Sequence, residues 1–418
     1  MSQSATKPVA IVLGGTRPHV ALIENLKTRG FYTVLVDYYE NPPARAAADQ
    51  HVRESTLDQD AVLAIARQMN ARLVISACVD QANVTAAYVA EELGLPAPYS
   101  YQTALAMSRK SLMKAIMRDH GIPTSPFQVV SQEHELESLD LQYPLVVKPL
   151  DSNSSRGVRR ADNFRQLMTY YREAREISRT AGVIVEEFCE GVVVSAYYYV
   201  LDGLPTSLVL MRKHFRPSTG DTVISSYASY VPAKVSAHAV KKIENVAKSV
   251  ACAFGLSQSP LMIEMLVNGD EVSVIETTPR IGGGLSYRII ELSMGFDLID
   301  AMVGAYFGAS VDLSVIKNCD VFLIQNIYAA PGTLGEITGD DALLESSVID
   351  EIYRYKTPGM TIGSTLSSGD RVGSIIVRAK TLAEALEKNE KAVSNLSVLD
   401  ESGRDIMRHD ICLRRGDV

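Results

Sequence analysis

Residues 261–284, LMIEMLVNGDEVSVIETTPRIGGG, hold the clearest structural signal in the chain. The dipeptide Asn268-Gly269 between two runs of β-branched and apolar residues is typical of a β-hairpin turn. A three-residue loop would pair Glu264 with Val274 and would place Glu276 on the same face, about 7 Å away along the diagonal. The sequence therefore predicts an antiparallel hairpin whose two strands bring a pair of carboxylates together.

Two interpretations of this carboxylate pair are open from the residues alone. The neighbours of Glu264 and Glu276 are apolar, and like charges in a partly desolvated setting repel unless a cation lies between them. Mg²⁺ is the natural candidate, since it prefers oxygen ligands and substrate phosphates. The alternative is two unrelated acids that face solvent on an edge hairpin.

The residues that follow Glu276 extend the pattern of alternating polar and charged side chains. Thr278 and Arg280 keep the alternation of Glu276, and a guanidinium beside a metal-bound phosphate can stabilise negative charge that develops during a reaction. Taken alone, an arginine here is more often a surface ion-pair partner. The glycines after it, with Gly283 at their centre, would let the backbone pass close to a bound substrate.

The length and charge of the chain limit the classes of protein it can be. Its 418 residues exceed one hydrophobic core, so we expect two to four lobes. The net charge of −8 argues against a nucleic-acid surface. The N-terminus does not resemble a signal peptide and no long apolar run predicts a membrane span, which favours a cytoplasmic protein. Five scattered cysteines without a CxxC pair indicate free thiols.

The first hundred residues predict a small doubly wound α/β lobe. A buried strand, the turn at Gly14-Gly15, an amphipathic helix and a strand ending at Asp37 follow one another, which is the order of a βαβ unit with a parallel sheet. A helix from Asp58 to Met69, a further strand and another helix complete the pattern. The turn lacks the third glycine of the dinucleotide fingerprint, so a dinucleotide site is not favoured.

Two further segments carry lysines that suit phosphate oxygens. A helix in residues 100–127 bears Lys110 and Lys114 one turn apart. Lys148 ends the strand YPLVVKPL and precedes the polar loop DSNSSRGV, whose N–H groups and hydroxyls can meet phosphate. A solvated hairpin loop is the alternative for this segment, because the P-loop pattern is missing.

The strand VIVEEFCEG and the segment MRKHFRP contain the remaining candidates. Glu186, Glu187 and Phe188 leave a buried strand, where backbone groups can bind a purine and a carboxylate can bind ribose hydroxyls; charged strand ends are nevertheless common. His214 lies beside this prospective site, although a structural role is the simpler interpretation. No His/Cys cluster has zinc spacing, and no GxSxG motif indicates a serine hydrolase.

The order of these segments over residues 104–308 resembles the ATP-grasp superfamily, in particular its carboxylate–amine ligase and biotin-carboxylase-like branch. The resemblance implies an α/β and α+β fold with an N-terminal α/β domain (residues 1–105), an ATP-grasp domain (106–310, with its lid at roughly 125–190) and a C-terminal α+β segment (311–418). It also implies an ATP-dependent enzyme that uses Mg²⁺, with Mn²⁺ as the alternative ion.

Site residues follow from the same resemblance, position by position. The implied ATP contacts are Lys110, Lys148, Ser154, Ser155, Glu186, Glu187, Phe188 and Glu190. The implied Mg²⁺ ligands are Glu264 and Glu276, with Arg280 steadying the reacting phosphate. The implied substrate contacts are Arg288, His214 and Gly283, within an acceptor pocket expected around residues 212–216 and 286–288.

Three positions depart from the usual pattern of the superfamily. Asn153 and Ser154 replace glycine in the lid loop, Val192 and Val193 stand where many members have a glutamate, and Thr278 replaces an asparagine metal ligand. Some amino-acid ligases also lack that asparagine. The resemblance therefore implies a ligase that activates a carboxylate as an acyl phosphate and joins it to an amine, with amino acids as the expected substrates.

Two alternatives remain beside this ligase: a purine-biosynthesis or bicarbonate-using carboxylase of the same fold, and a nucleotide-binding module without catalysis. The expected partners are a small carboxylate and a small amine, with neither nucleic acid nor membrane. A homodimer is expected on family grounds only.

Overall fold

The computed structural model describes residues 7–151, 157–178, 180, 182–215, 226–314, 318–364, 366 and 368–418. Within these ranges the helices are α1 (Arg17–Thr28), α2 (Gln59–Gln68), α3 (Asp80–Leu93), α4 (Tyr101–Ser108), α5 (Lys110–Asp119), α6 (Phe164–Ile177), α7 (Ala237–Ala253), α8 (Ser286–Met294), α9 (Leu298–Ala305), α10 (Asp340–Glu345) and α11 (Leu382–Asn395).

The strands in these ranges are β1 (Val9–Leu13), β2 (Tyr32–Val36), β3 (Gln50–Val52), β4 (Ala71–Ile75), β5 (Phe127–Val130), β6 (Leu145–Pro149), β7 (Arg159–Ala161), β8 (Val183–Glu187), β9 (Val192–Leu201), β10 (Leu204–His214), β11 (Ala228–Val231), β12 (Ser259–Asn268), β13 (Glu271–Thr278), β14 (Val321–Ile327), β15 (Gly332–Thr338), β16 (Glu351–Arg354), β17 (Thr361–Ile362), β18 (Gly373–Ala379) and β19 (Ser397–Asp400).

The N-terminal lobe is the predicted α/β unit. Its sheet has the order β3-β2-β1-β4 with parallel pairing throughout. Helix α1 covers one face of this sheet, while α2 and α3 cover the other. Both faces of a parallel sheet are buried in this arrangement, which explains why its strands are continuous apolar runs.

A second, antiparallel sheet carries the strands that end in the lysine and glutamate motifs. Its order is β5-β8-β6-β7, and α6 packs its apolar side against it. The sequence predicted one helix in residues 100–127, but the structure has two. Arg109 has an extended conformation that separates α4 from α5. Lys110 is therefore the first residue of its own helix.

The largest sheet joins the central and C-terminal parts of the chain. Its order is β13-β12-β9-β10-β11-β14-β18-β16, and its strand pairs are antiparallel. One face packs against α8, α9 and the N-terminal helix α1. The other face packs against α7 and α11. We refer to these as the front face and the back face. No helix among the described residues is long and apolar enough to cross a membrane.

The hairpin of β12 and β13 differs from the prediction in its register. Asn268 pairs with Glu271, so the loop holds two residues rather than three. A two-residue loop by itself would pair Glu264 with Ile275 and would send Glu276 to the other face. The register instead shifts by one residue beyond Met265, and this β-bulge pairs Glu264 directly with Glu276. The predicted pairing with Val274 is wrong, whereas the convergence of the carboxylates is confirmed.

The glycine turn between β13 and α8 is shaped by packing at one position. A Cβ atom on Gly282 would lie 2.6 Å from the Tyr197 hydroxyl and 2.7 Å from Ser286 Oγ. A Cβ atom on Gly283 would meet nothing within 4 Å. Close packing therefore requires glycine at the first of these two neighbouring positions and not at the second.

We expect Gly282→Ala to lower the free energy of unfolding by about 1–3 kcal/mol, because the new methyl group overlaps two side chains of the packed front face. The matched control Gly283→Ala should change it by no more than about 0.5 kcal/mol. Urea unfolding followed by circular dichroism measures both. Equal stability of the two variants would contradict the packing argument.

Candidate active site

The front face of the large sheet presents the two carboxylates at the end of the hairpin. Glu264 of β12 accepts a hydrogen bond from Ser195 Oγ at 3.1 Å and forms an ion pair with Lys213 of β10. Ser195 lies opposite Glu264 on the adjacent strand β9, and Lys213 reaches Glu264 from β10, one strand further along the sheet. One of the two carboxylates is therefore neutralised by the sheet that carries it.

Glu276 has a different environment. Its carboxylate lies directly opposite Glu264 across the bulged strand pair. Burial raises its pKa, and the negative charge of Glu264 raises it further, while Lys110 and Lys213 act in the opposite direction. This is the electrostatic environment of an acid that lacks a cation.

The pair fits a magnesium ion in part. Carboxylate oxygens are ligands that Mg²⁺ prefers, and the uncompensated charge of Glu276 would be satisfied by such an ion. Among the described residues, no group of three or more His, Cys, Asp or Glu side chains could hold a metal. Two protein carboxylates would therefore bind the ion together with oxygens from a ligand and from water.

A buried carboxylate in the second sheet organises two lysines. Glu186 Oε2 accepts a hydrogen bond from Lys114 Nζ at 2.8 Å, and its Oε1 lies 3.0 Å from Lys148 Nζ. Burial would raise the pKa of Glu186, but the two ammonium groups outweigh this and lower it. Both carboxylate oxygens are thus engaged by lysines, and the adenine contact expected of Glu186 stays a prediction.

Lys110 stands between the lysine cluster and the carboxylate pair. Burial lowers its pKa, whereas the nearby Glu276 raises it, and Lys148 and Glu186 also act on its charge. The structure thus brings Lys110, Lys148, Glu186 and Glu276 into one electrostatic neighbourhood although they come from four separate segments. This positively charged edge beside a carboxylate pair is suited to the phosphates of a nucleotide.

The residues at the end of β8 and just after it contact specific partners. Glu187 Oε1 accepts a hydrogen bond from the backbone N–H of Gln142 at 3.0 Å. The Phe188 ring lies 4.4 Å from the guanidinium carbon of Arg160, in a cation–π contact. Glu190 is exposed. Their roles in ATP binding remain predictions, and Ser154 and Ser155 lie outside the described residues.

Arg280 is held by a residue that the sequence analysis did not identify. Asp80, the first residue of α3 in the N-terminal lobe, accepts Nε at 2.8 Å and Nη2 at 2.6 Å. Burial disfavours the guanidinium charge, but the Asp80 carboxylate outweighs it and raises the pKa of Arg280. Asp80 lies 200 residues before Arg280 in the chain. This bidentate contact ties the N-terminal lobe to the large sheet.

The same carboxylate accounts for the unusual residue at position 278. Thr278 Oγ1 donates a hydrogen bond of 2.8 Å to Asp80 Oδ1. Its hydroxyl therefore supports the Arg280 clamp and is directed at the N-terminal lobe. Thr278 takes the place of the usual asparagine metal ligand, and in this structure its hydroxyl donates to Asp80.

The predicted substrate residues are not gathered at the carboxylates. Arg288 pairs with Glu351, with Nε lying 3.0 Å from Oε1, and its Nη1 lies 2.7 Å from Glu291. His214 follows Lys213 in β10, and its ring contacts Tyr230 in the adjacent strand β11. Because strand neighbours alternate, His214 belongs to the back face. The structure does not bring it to Glu264.

The remaining substrate candidate, Gly283, is exposed in the turn before α8. The side chains that the sequence analysis did not assign to the site are Lys114, Lys213 and Asp80. A usable signal existed for Asp80, because it follows a predicted parallel strand of the N-terminal lobe, and functional groups concentrate at the carboxyl ends of such strands. Lys213 had no comparable signal, since its pairing depends on the register of β10.

We expect Glu186→Gln to lower the free energy of unfolding by about 3–5 kcal/mol, because two buried ammonium groups would lose their counter-charge. The control Glu133→Gln removes an exposed partner of Arg172 and should leave stability unchanged within error. Equilibrium urea unfolding at pH 7 measures both variants. A Glu186→Gln protein as stable as the parent would show that the lysines have another counter-charge.

Comparison with known proteins identifies two segments of the chain. Residues 141–288 match the ATP-grasp domain, and residues 325–399 match the L-amino acid ligase C-terminal domain 2. The matched ATP-grasp segment contains Lys148, Glu186 and both hairpin carboxylates, and the second segment contains the end of β14 and all of β18 and α11.

Similar curated proteins span nearly the whole chain at low identity. Formate-dependent phosphoribosylglycinamide formyltransferase of Wolinella succinogenes is 26% identical over 392 residues, covering 93% of this chain and 96% of the relative. The protein with the same description from Actinobacillus pleuropneumoniae is 27% identical over 406 residues, covering 94% and 97%.

Solved structures reproduce the fold over the same length. The L-amino acid ligase from Bacillus licheniformis has a TM-score of 0.77 at 20% identity, covering 96% of this chain and all of that one. Phosphoribosylglycinamide synthetase from Anaerococcus prevotii has a TM-score of 0.75 at 22% identity, covering 95% and 100%. The expected resemblance is confirmed: the chain has the ATP-grasp fold, with an ATP-grasp domain followed by an L-amino acid ligase C-terminal domain 2.

Proposed function

We propose that this protein is an ATP-dependent ligase that activates a carboxylate as an acyl phosphate and joins it to an amine, releasing ADP and phosphate. The observation that carries the proposal is the facing pair Glu264 and Glu276 beside the lysine cluster. Such an arrangement matches the charge that must be managed when a γ-phosphate is transferred. The fold neighbours and the ATP-grasp domain support it.

The lysines would bind the phosphates of ATP. Lys110 and Lys148 approach the carboxylate pair from the helix α5 and the strand β6, and Glu186 fixes the position of Lys148. Burial lowers the pKa of Lys110, and the charges of Glu276 and Glu186 oppose that shift. Orientation of the phosphates would therefore be built into the folded protein.

Glu264 and Glu276 would hold Mg²⁺, which supplies charge neutralisation at the phosphate oxygens when it is bound. Lys213 pairs with Glu264 in the described structure and lies close enough to act on phosphate charge as well. Arg280 would stabilise the oxyanion that forms when the amine attacks the acyl phosphate. Asp80 binds one edge of its guanidinium and so fixes the orientation of the group.

Amino acids are the substrates that we propose. The match of residues 325–399 to the L-amino acid ligase C-terminal domain supports this choice, as does the fold likeness to an L-amino acid ligase. The carboxylate of one amino acid would be activated, and the amine of a second would attack it.

A second candidate has its own support. The curated relatives that match almost the whole chain are described as formate-dependent phosphoribosylglycinamide formyltransferases. Formate is the smallest carboxylate and the glycinamide supplies an amine, so both candidates use the same type of reaction. They differ in the size of the carboxylate and in whether the amine substrate carries a phosphate.

We expect ADP release from Mg-ATP to depend on a pair of amino acids and to be lost by at least 100-fold in Glu276→Gln, because a metal ligand is removed. The control Glu271→Gln changes an exposed acid on the same strand and should retain activity. A coupled ADP assay over amino-acid pairs, and over formate with phosphoribosylglycinamide, measures both. Turnover only with the second substrate pair would select the formyltransferase, and undiminished turnover in Glu276→Gln would exclude the proposed metal role.

Metal binding should also depend on pH. Because the pKa of Glu276 is raised, a proton competes with the ion at higher pH than for an ordinary glutamate near 4.3. We expect Mn²⁺ affinity, measured by electron paramagnetic resonance with ADP present, to fall as pH decreases through that raised pKa. Glu276→Gln should bind more weakly and lose this dependence. An unchanged profile in the variant would assign the proton to another group.

A further inference from the structure

A cavity of about 550 Å³ lies where β9 begins and β10 ends. Arg212, Lys213 and His214 line it from β10, Tyr227 lines it just before β11, and Cys412 and Arg414 line it from the C-terminal tail. The cavity is large enough for a small metabolite. The proposed reaction assigns no role to it.

The two basic residues of β10 face this cavity rather than the active site. Arg212 and His214 pair with Tyr230 and Ala228 of β11, and Lys213 lies between them in the strand. Lys213 directs its ammonium group to Glu264 on the front face. Since side chains alternate along a strand, Arg212 and His214 share the back face, about 7 Å apart along β10.

Both residues present buried nitrogen atoms without a partner. His214 is 7% exposed, and its Nε2 has no hydrogen-bond partner among the described residues. Arg212 Nη1 is buried and lacks a partner in the same sense. Native proteins leave few buried polar atoms unsatisfied, because each costs about 1–3 kcal/mol. Two such atoms at one cavity indicate a ligand that would accept hydrogen bonds from them.

The opposite wall of the cavity is held in place by buried amides. Gln325 Nε2 donates to the Ile411 carbonyl at 3.0 Å, and its Oε1 accepts from Leu413 N at 3.0 Å. Asn389 Nδ2 donates to the Leu413 carbonyl at 3.0 Å. The tail that carries Cys412 and Arg414 is therefore anchored to β14 and α11, so the cavity is a built feature of the fold.

The charge of the cavity favours an anion. Of its charged lining residues, Asp410 pairs with Arg408 and Lys213 pairs with Glu264. The carboxylate of Asp417, which accepts from the backbone N–H of Arg414 at 2.9 Å, is outnumbered by the guanidinium groups of Arg212 and Arg414. An oxyanion could accept from Arg212 Nη1 and from the Nε2–H tautomer of His214 at the same time.

We propose that this cavity is a second binding site, separate from the ATP site, for a small metabolite that carries a carboxylate or a phosphate group. Arg212 and His214 hold the oxyanion, and Arg414 closes the site from the tail. The site stands on the geometry of the back face and does not depend on the proposed ligase activity.

The probes are inorganic phosphate and acetate, titrated separately by isothermal calorimetry into the full chain at pH 7. We expect Arg212→Met and His214→Phe each to weaken binding of the preferred probe at least tenfold. Lys242→Met, an exposed change on α7, and Lys148→Met, at the proposed ATP phosphates, should bind it like the parent. Preference for phosphate or for acetate identifies which oxyanion the metabolite carries.

A second measurement separates binding from folding. Arg212→Met removes a buried unsatisfied donor, so it should leave the free energy of unfolding without ligand unchanged or higher. A purely structural arginine would instead destabilise the protein when replaced. The proposal is overturned if neither probe binds, if Arg212→Met and His214→Phe bind like the parent, or if Lys148→Met is the variant that loses binding.

Discussion

The cross-strand contact between Glu264 and Glu276 is the constraint on which the rest of the front face depends. Two carboxylates directly opposite each other on a buried sheet face repel, and a folded protein must compensate for this. Lys213 and Ser195 compensate Glu264 from the neighbouring strands. Lys110 acts against the raised pKa of Glu276, and the proposed Mg²⁺ would compensate the remaining cost of burying this carboxylate beside Glu264.

The Asp80 carboxylate compensates a buried charge where the N-terminal lobe meets the large sheet. Asp80 binds the Nε–Nη2 edge of Arg280 and the hydroxyl of Thr278, so the N-terminal lobe contributes to the position of this arginine, for which we propose a catalytic role. Glu186 plays the same part for Lys114 and Lys148. Arg280 and Lys148, two of the cations that are proposed to meet substrate charge, are thus each held by a carboxylate that is not a proposed metal ligand. Such pairing compensates the cost of burying like charges together.

The side chains of strand β10 alternate between the two faces of the large sheet, so its neighbouring residues contact different groups. Lys213 of β10 serves the carboxylates on the front face, while its neighbours Arg212 and His214 serve the cavity on the back face. Residues adjacent in sequence therefore lie on opposite faces of the sheet. The substrate role expected for His214 stays a prediction, and its ring lies on the face opposite Glu264.

The sequence by itself determined the hairpin, the α/β lobe, the lysine-bearing segments and the presence of two acids on β12 and β13, because alternation and turn chemistry are local properties. Only the tertiary structure decided the register, since one bulged residue moves Glu276 from one face to the other. It alone also decided the partners of Arg280 and Glu264. Those contacts join segments 51 to 200 residues apart, and no local pattern records which distant strand or helix will supply the opposite charge.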